Sequence, residues 1–254
     1  MKVGVSGASG RMGSLAAGTI QDADDIHLIC LYDAHTSGNI AGLSISQDRA
    51  VLDGCDVIVE FSRPDVVMEN IRMWRTFGAS VVVGTSGFDV DRLKELEEIW
   101  GNGPGNCLVV PNFSIGAILM MKMAEMAAGF FPVAEIIETH HDAKADAPSG
   151  TAIATAHAIA GERPVHERAV ESVEILEGAL GANVEGVRVH SLRVPGVVAH
   201  QDVVFGGEGE TLRLSHDTLD RTSFMPGVLL AIRSIPDQEE VLTVGLDHLL
   251  VDGT

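Results

Sequence analysis

Residues 1–13 read MKVGVSGASGRMG, and the fold turns on that stretch. Val3 and Val5 lie in a short apolar run with the character of a strand. The run ends at Gly7-Ala8-Ser9-Gly10-Arg11-Met12-Gly13, and a helical pattern begins inside the glycines and continues to about Ile20. Glycines let a backbone turn tightly and approach a pyrophosphate, whose charge can rest on the free N–H groups of a helix start. The spacing is G-x-x-G-x-x-G, which by itself also describes a plain strand-to-helix turn. The next apolar run, IHLICLY, ends at Asp33, twenty positions after Gly13. An acidic residue there can accept hydrogen bonds from an adenosine ribose. Strand, loop, helix, strand and terminal acid together predict a dinucleotide site. The Asp33 carboxylate repels a 2′-phosphate and Ala34 adds no cation, although Arg11 and His35 offer partial compensation. NADH is therefore expected ahead of NADPH.

The alternation continues outward from this unit. DVIVEF reads as a strand and PDVVMENIRMWRTFG as a helix, with Pro64 near its start and Gly78 at its end. SVVVG, DVDRLKELEEIW and NCLVV continue as strand, helix and strand. Apolar strands separated by helices predict a doubly wound parallel sheet covered on both faces. GTSG (Gly84, Thr85, Ser86, Gly87) and PNF (Pro111, Asn112, Phe113) follow strands directly, where open α/β sheets bind ligands. They are candidates for the nicotinamide side, against the simpler reading of ordinary turns.

The second half changes pattern. A helix over about 114–130 precedes the strand AEIIETHH, and another helix is expected over about 149–160. The stretch from there to about Glu185 is poorly patterned. VRVHSLRV, HQDVVFG and ETLRLSHD then follow without helices, which predicts a mostly antiparallel sheet. RTSFMPGVLLAIRSI reads as a last helix. The fold class is thus α/β, a Rossmann-like doubly wound parallel sheet with a second α+β domain on a mostly antiparallel sheet.

The chain has 254 residues, 46% of them hydrophobic, and a formal net charge of −19. That charge argues against nucleic acid and anionic membranes as partners, while a small anion needs only a local cationic pocket. The most apolar stretch, IGAILMMKMAEMAAGFF, contains Lys122 and Glu125 and is too short to span a membrane. The N-terminus shows no signal-peptide pattern. Cys30, Cys55 and Cys107 read as buried reduced thiols, consistent with a cytoplasmic location.

Residues 139–152, THHDAKADAPSGTA, hold the remaining chemistry. On a strand His140 and His141 point to opposite faces and make a poor chelate, so no metal site is expected. Pro148 ends extended chain and Ser149 can cap a helix whose first turn holds Gly150 and Thr151. N–H groups there, with Lys144 nearby, suit a carboxylate, and a histidine suits proton donation near neutrality. A solvated loop before a capped helix is the plainer alternative. The dinucleotide site favours chemistry, namely reduction of a small anionic substrate.

These residues resemble the 4-hydroxy-tetrahydrodipicolinate reductase (dihydrodipicolinate reductase) family of diaminopimelate and lysine biosynthesis. ETHHDAKADAPSGTA is similar to the family pattern E-x-H-H-x-x-K-x-D-A-P-S-G-T-A. GASGRMG, FSRPDVV, VVGTSGF, PNFSIG and RTSFMPGVLLAIR occur in the family's order. The resemblance implies NAD(P)H-dependent reduction of 4-hydroxy-tetrahydrodipicolinate, with loss of water, to tetrahydrodipicolinate. It implies catalytic roles for His140 and Lys144, and substrate-carboxylate contacts for His141, Gly150 and Thr151. Gly7, Ala8, Ser9, Gly10, Arg11, Met12, Asp33, Gly84, Thr85, Ser86, Val110, Pro111, Asn112 and Phe113 would hold the cofactor. Where family members carry arginine after the acidic residue, NADPH is favoured; Ala34 stands there here. The resemblance further implies a homotetramer, with a cofactor domain over 1–112 plus 222–254 and a substrate-binding and oligomerisation domain over 113–221. The alternatives are another Rossmann oxidoreductase acting on an amino or keto dicarboxylate, and a non-catalytic dinucleotide sensor.

Overall fold

A computed structural model describes residues 1–101, 103–162 and 172–251. The chain divides into two compact units, Met1–Ser114 together with the segment from Phe224 onward, and Ile115–Ser223. The first unit opens with β1 (Lys2–Ser6), α1 (Arg11–Gln21), β2 (His27–Tyr32), β3 (Gly38–Ile40) and β4 (Leu43–Ser46). It continues through β5 (Val57–Glu60), α2 (Val67–Thr76), β6 (Ser80–Val83), α3 (Val90–Trp100) and β7 (Cys107–Val109). The second unit contains α4 (Ile115–Ala128), β8 (Val133–His140), α5 (Gly150–Glu162), β9 (Ala182–Val184), β10 (Val187–Arg193), β11 (Ala199–Gly207) and β12 (Glu210–Thr218). The chain then returns to the first unit with α6 (Met225–Ser234), β13 (Leu242–Val244) and α7 (Asp247–Val251).

The first unit is built on an eight-stranded sheet in the order β13-β7-β6-β5-β1-β2-β4-β3. Its strands run parallel except at β3, which pairs antiparallel with β4. Every residue of β5 and β6 is buried, as a strand covered on both faces requires. Gly13, Ala16, Ala17 and Ile20 form the buried stripe of α1, and Val67, Asn70, Ile71 and Trp74 that of α2. Both stripes follow the i, i+3, i+4, i+7 spacing of a helix packed on one side. Asp89 caps α3 by accepting the Arg92 N–H, and Gly78 ends the α2 segment with φ 72°. β1 sits between β2 and β5, so the order of strands reverses beside it, where sheets of this kind bind ligands.

The fold class expected from the sequence is the one observed, with local differences. The short β3–β4 hairpin, whose second strand alternates as Leu43-Ser44-Ile45-Ser46, extends the sheet where sequence reading placed no strand. RTSFMPGVLLAIRSI is not the last element. Its first four residues form a 3₁₀ turn, α6 starts at Met225, and β13 follows to pair in parallel with β7. The cysteines are buried as expected, and β2 brings Cys30 Sγ to 3.2 Å from Cys55 Sγ.

The second unit has a five-stranded sheet in the order β12-β11-β8-β10-β9. The mostly antiparallel sheet expected from the three runs at the end of this unit is observed, and β11 and β12 pair directly in it. β8 lies between β11 and β10, antiparallel to the first and parallel to the second. The alternating burial of β8 places one of its faces on the helices, and Gly196 (φ 87°) lies in the turn between β10 and β11, which end on opposite sides of β8. Ala124 and Ala128 of α4 and Ala152, Ala156 and Ile159 of α5 pack on Ile136, Val189, Val203 and Phe205 of the sheet. Residues 163–171, within the poorly patterned stretch, lie outside the described residues.

Candidate active site

The glycine loop of the first unit is held by its neighbours. Gly7 adopts φ 74°, and a Cβ there would lie 2.6 Å from the Phe61 carbonyl oxygen. A Cβ on Gly13 would meet the Gly7 carbonyl oxygen at 2.1 Å, so only glycine lets α1 start this close to the strand. The N–H groups of Gly7 and Ala8 both donate to the Tyr32 carbonyl, at 2.9 and 3.0 Å. Those two residues thus shape the loop, while the donors available to an anion belong to the helix start. Ser14 is the first to donate within α1, to Gly10 at 2.9 Å, and Gly10 supplies no side-chain cap. The N–H groups of Arg11, Met12 and Gly13 therefore have no intrahelical acceptor.

Asp33 follows β2 and gathers four local donors. Oδ2 accepts the Ser9 N–H at 3.2 Å and the Ser9 hydroxyl at 2.5 Å; Oδ1 accepts the N–H of His35 at 3.0 Å and of Thr36 at 3.2 Å. Burial works to raise its pKa, but the hydrogen bonds from Ser9, His35 and Thr36 prevail and hold it below the usual carboxylate range. A cavity of about 320 Å³ opens beside it, lined by Gly7, Ser9, Gly10, Asp33 and Ala34 among others. Sequence reading missed several lining residues, including Phe61, Ser62, Asn70, Arg49 and Arg63. Both arginines carry acidic partners: Arg49 pairs with Glu69, and Arg63 makes a forked pair with Asp65. A buried carboxylate, Glu60, accepts from the Ser62 N–H at 2.8 Å and the Trp74 indole at 2.7 Å, which fixes the loop after β5.

The other two loops meet this one. Gly84 fits between Phe61 and Phe113, whose ring centroids are 5.5 Å apart, and a Cβ on it would lie 2.2 Å from the Phe61 ring. The Thr85 hydroxyl is buried against the carbonyls of Glu60 and Ser62. The Val110 N–H donates to Val83, and Asn112 accepts the Ser114 N–H at 2.9 Å. Ser86 is exposed. Loops 7–13, 61–63, 84–87 and 110–113 thus form one rim at the carboxyl ends of adjacent parallel strands.

In the second unit β8 ends at His140, and His141 already lies outside the strand. Lys144 N–H donates to the His141 carbonyl at 3.1 Å, folding the loop back, and the Lys144 ammonium sits 2.8 Å from Asp146. Ser149 Oγ caps α5 by accepting the Ala152 N–H at 3.2 Å. Gly150 and Thr151 open the helix, where first-turn N–H groups lack an intrahelical acceptor. Strand end, loop and helix start place His140, His141, Lys144, Gly150 and Thr151 on one continuous rim.

Two residues that sequence reading missed organise this rim. Glu138 is fully buried, and its Oε2 lies 2.5 Å from His140 Nδ1. Arg193 grips the same carboxylate with both terminal nitrogens at 3.0 Å, and the Ser149 N–H donates to it at 3.2 Å. Burial raises the pKa of Glu138, yet hydrogen bonds from Arg193, Ser191 and His140 bring it below the usual value. For His140, burial lowers the pKa, the Glu138 carboxylate raises it, and Lys144 and Arg193 lower it again. The balance falls below the ordinary histidine value. Glu138 had a signal in the sequence, since i and i+2 share a strand face. Arg193 had none, because its place depends on the parallel register that sets it opposite His140.

A glycine loop and helix start at the carboxyl edge of a parallel sheet, with a histidine–lysine rim in a separate α+β unit, have the architecture of a Rossmann-type nucleotide-binding oxidoreductase. The family models for the N-terminus and C-terminus of dihydrodipicolinate reductase match residues 1–113 and 116–250. The chain belongs to the dihydrodipicolinate reductase family. It is 48% identical to 4-hydroxy-tetrahydrodipicolinate reductase of Thermobifida fusca (strain YX), over 98% of this chain and 99% of that protein. Against the enzyme of the same name from Cutibacterium acnes (strain DSM 16379 / KPA171202) it is 47% identical over 98% of each. Among solved structures, dipicolinate-bound dihydrodipicolinate reductase from Paenisporosarcina sp. TG-14 superposes with a TM-score of 0.87 at 36% identity. That match covers 98% of this chain and 99% of that one. Among the described residues no helix is long and apolar enough to cross a membrane.

Proposed function

We propose that this chain reduces 4-hydroxy-tetrahydrodipicolinate to tetrahydrodipicolinate, with loss of water, at the expense of NAD(P)H in diaminopimelate and lysine biosynthesis. The observation that carries the reading is the strand–loop–helix rim of the second unit in a chain that matches this family throughout. A proton donor, a cation and a helix start stand together there, as reduction of a small dicarboxylate needs. The relative solved with dipicolinate, a flat aromatic dicarboxylate, supports that substrate class.

The first unit fits a dinucleotide. Glycines at 7 and 13 leave no Cβ at the two points where the loop backbone approaches Phe61 and the helix start, and the N–H groups of Arg11, Met12 and Gly13 would take the pyrophosphate. Asp33 would take the ribose diol, and the loops at Gly84–Ser86 and Val110–Phe113 the nicotinamide side. The bound nicotinamide supplies the hydride. NADH is the preferred form, because Asp33 is ionised, Ala34 is neutral, and Arg49 and Arg63 are already matched by Glu69 and Asp65.

In the second unit Lys144 exchanges Asp146 for a substrate group, and Lys144 and His140 hold and deliver the proton that accompanies reduction. His141 and the first turn of α5, at Gly150 and Thr151, take the carboxylates, whose charge the helix start favours. The same unit is the assembly unit of a cytoplasmic homotetramer. Among the described residues, no strand pairs with the outer side of its nine-residue edge strand β12, the kind of edge that assembly covers. The test of function is oxidation of NADH and NADPH by purified protein, with substrate generated in place by a separate synthase from pyruvate and aspartate semialdehyde. Synthase-dependent oxidation supports the reading. NADH binding without turnover would put a dinucleotide sensor in its place.

A further inference from the structure

We propose that Glu138, gripped by Arg193, is the positioning residue for His140: its carboxylate keeps a proton on Nδ1 and so makes Nε2 the atom that exchanges a proton with substrate. The inference rests on the reductase reading above and adds the device that orients its acid. Glu138 and His140 stand two residues apart on β8 and therefore share a face of the sheet. An ionised carboxylate can only accept, so the 2.5 Å contact assigns the Nδ1 hydrogen to His140. With Nδ1 fixed as donor, the neutral ring has its lone pair at Nε2, and the imidazolium gives up its proton there.

The same carboxylate does more than face the histidine. Oε1 accepts the Ser149 N–H at 3.2 Å, and Arg193 also donates to the Asp146 carbonyl at 2.6 Å. One buried ion pair thus registers the strand carrying His140, the loop carrying Lys144 and the residue capping the Gly150–Thr151 helix start. A buried ion pair adds little stability over an apolar pair of equal volume, so a pair tied to three site segments points to geometry. The charged groups facing His140 are Glu138 from its own strand, Lys144 from the loop and Arg193 from β10. β11 sets Ala199 opposite it, and the next residue, His200, is engaged by Asp202 and Asp217.

Arg193 and the Ser149 N–H are donors, which makes Glu138→Gln a specific test. The amide oxygen would take the Oε1 place, where two obligate donors, Arg193 Nη2 and the Ser149 N–H, converge. Its NH₂ would take the Oε2 place, losing the Arg193 Nη1 bond and facing His140 Nδ1, the one partner there that can become an acceptor. The ring must then accept at Nδ1 and carry its hydrogen on Nε2. The experiment is long-range ¹H–¹⁵N NMR of the histidine rings, with His140 assigned by loss of its signals in His140→Gln, alongside kcat, KM and the pH profile. Wild-type neutral His140 is expected as the Nδ1–H tautomer. Folded Glu138→Gln is expected to show the other tautomer, NADH affinity near wild type, and kcat lower by about 10²–10⁴-fold. Its loss of activity with rising pH is expected to begin at lower pH, since the negative charge facing the imidazolium is gone. An unchanged tautomer, or an unmoved pH profile with wild-type kcat, would overturn the proposal. Should Glu138→Gln fail to fold, the wild-type spectrum decides, because an Nε2–H tautomer there overturns the proposal by itself. Absence of wild-type turnover would sink the reductase reading and leave the tautomer result standing separately.

Discussion

Ser9 and Asp33 lock the glycine loop to the end of β2: the Asp33 carboxylate accepts both the N–H of Ser9, at 3.2 Å, and its hydroxyl, at 2.5 Å. The other carboxylate oxygen is engaged by the N–H groups of His35 and Thr36. This acid is therefore held ionised by its own neighbours. On the cofactor assignment proposed above, a ribose diol would meet an acceptor already in place, and a phosphate on the same ribose would meet a like charge.

That arrangement predicts the outcome of Ala34→Arg. A guanidinium beside Asp33 would pair with a 2′-phosphate and offset the carboxylate. The ratio of kcat/KM for NADPH to that for NADH is expected to rise about 10- to 100-fold, the worth of one or two charge-assisted hydrogen bonds. Steady-state kinetics with each cofactor checks it. An unchanged ratio would count against Asp33 and Ala34 as the selecting pair.

Lys144→Ala is expected to reduce kcat by about 10²–10⁴-fold, the usual contribution of a positioned proton-transfer group. NADH affinity, read by fluorescence titration, should stay near wild type, because Lys144 belongs to the second unit and the glycine loop to the first. Equal loss of NADH binding would mean that the two roles are assigned to the wrong units.

Two glycines of α1 should respond in opposite ways to alanine. At Gly13 a Cβ would lie 2.1 Å from a backbone oxygen, so the helix must shift away from the loop. Gly13→Ala is expected to cost about 1–3 kcal/mol and to weaken NADH binding. At Gly18 nothing lies within 4 Å, and alanine should stabilise the helix by about 0.5–1 kcal/mol. Urea unfolding of the two variants against wild type separates the effects.

The pH dependence follows from the direction of two shifts. His140 titrates below its ordinary value, so an acid role requires kcat/KM to fall as pH rises through that lowered pKa, below the range of a free histidine. Stability runs the other way. The unfolded chain binds the His140 proton more tightly than the folded one, so acidification through that window favours unfolding. Glu138 acts in the same sense at lower pH: its lowered pKa contributes stability above the unfolded carboxylate value, and this is lost as pH falls through the folded one. Thermal unfolding from neutral to acid pH should show melting temperature falling, with the Glu138 share absent in Glu138→Gln. A flat profile would contradict both shifts.

The sequence by itself determined the parallel sheet and the material of both rims. Runs such as DVIVEF and SVVVG are short, β-branched and apolar at successive positions, which suits strands covered on both faces. The glycine spacing, Asp33 and the THHDAKADAPSGTA stretch are local, so their chemistry could be read from neighbouring residues. What only the tertiary structure decided is non-local pairing. β8 inserts between β10 and β11, and a one-sided alternating strand carries no mark of which neighbour it will take or in which direction. That choice sets Arg193 opposite His140, 53 residues along the chain, and thereby completes the buried carboxylate at Glu138. The loop N–H groups follow the same logic. Glycines announced the turn, but the position of the Tyr32 carbonyl decided that the Gly7 and Ala8 N–H groups are occupied, while those of Arg11, Met12 and Gly13 have no intrahelical acceptor. Composition and period fix what a segment buries; the partner it buries against is settled only when distant segments pack and every buried polar group must find its mate.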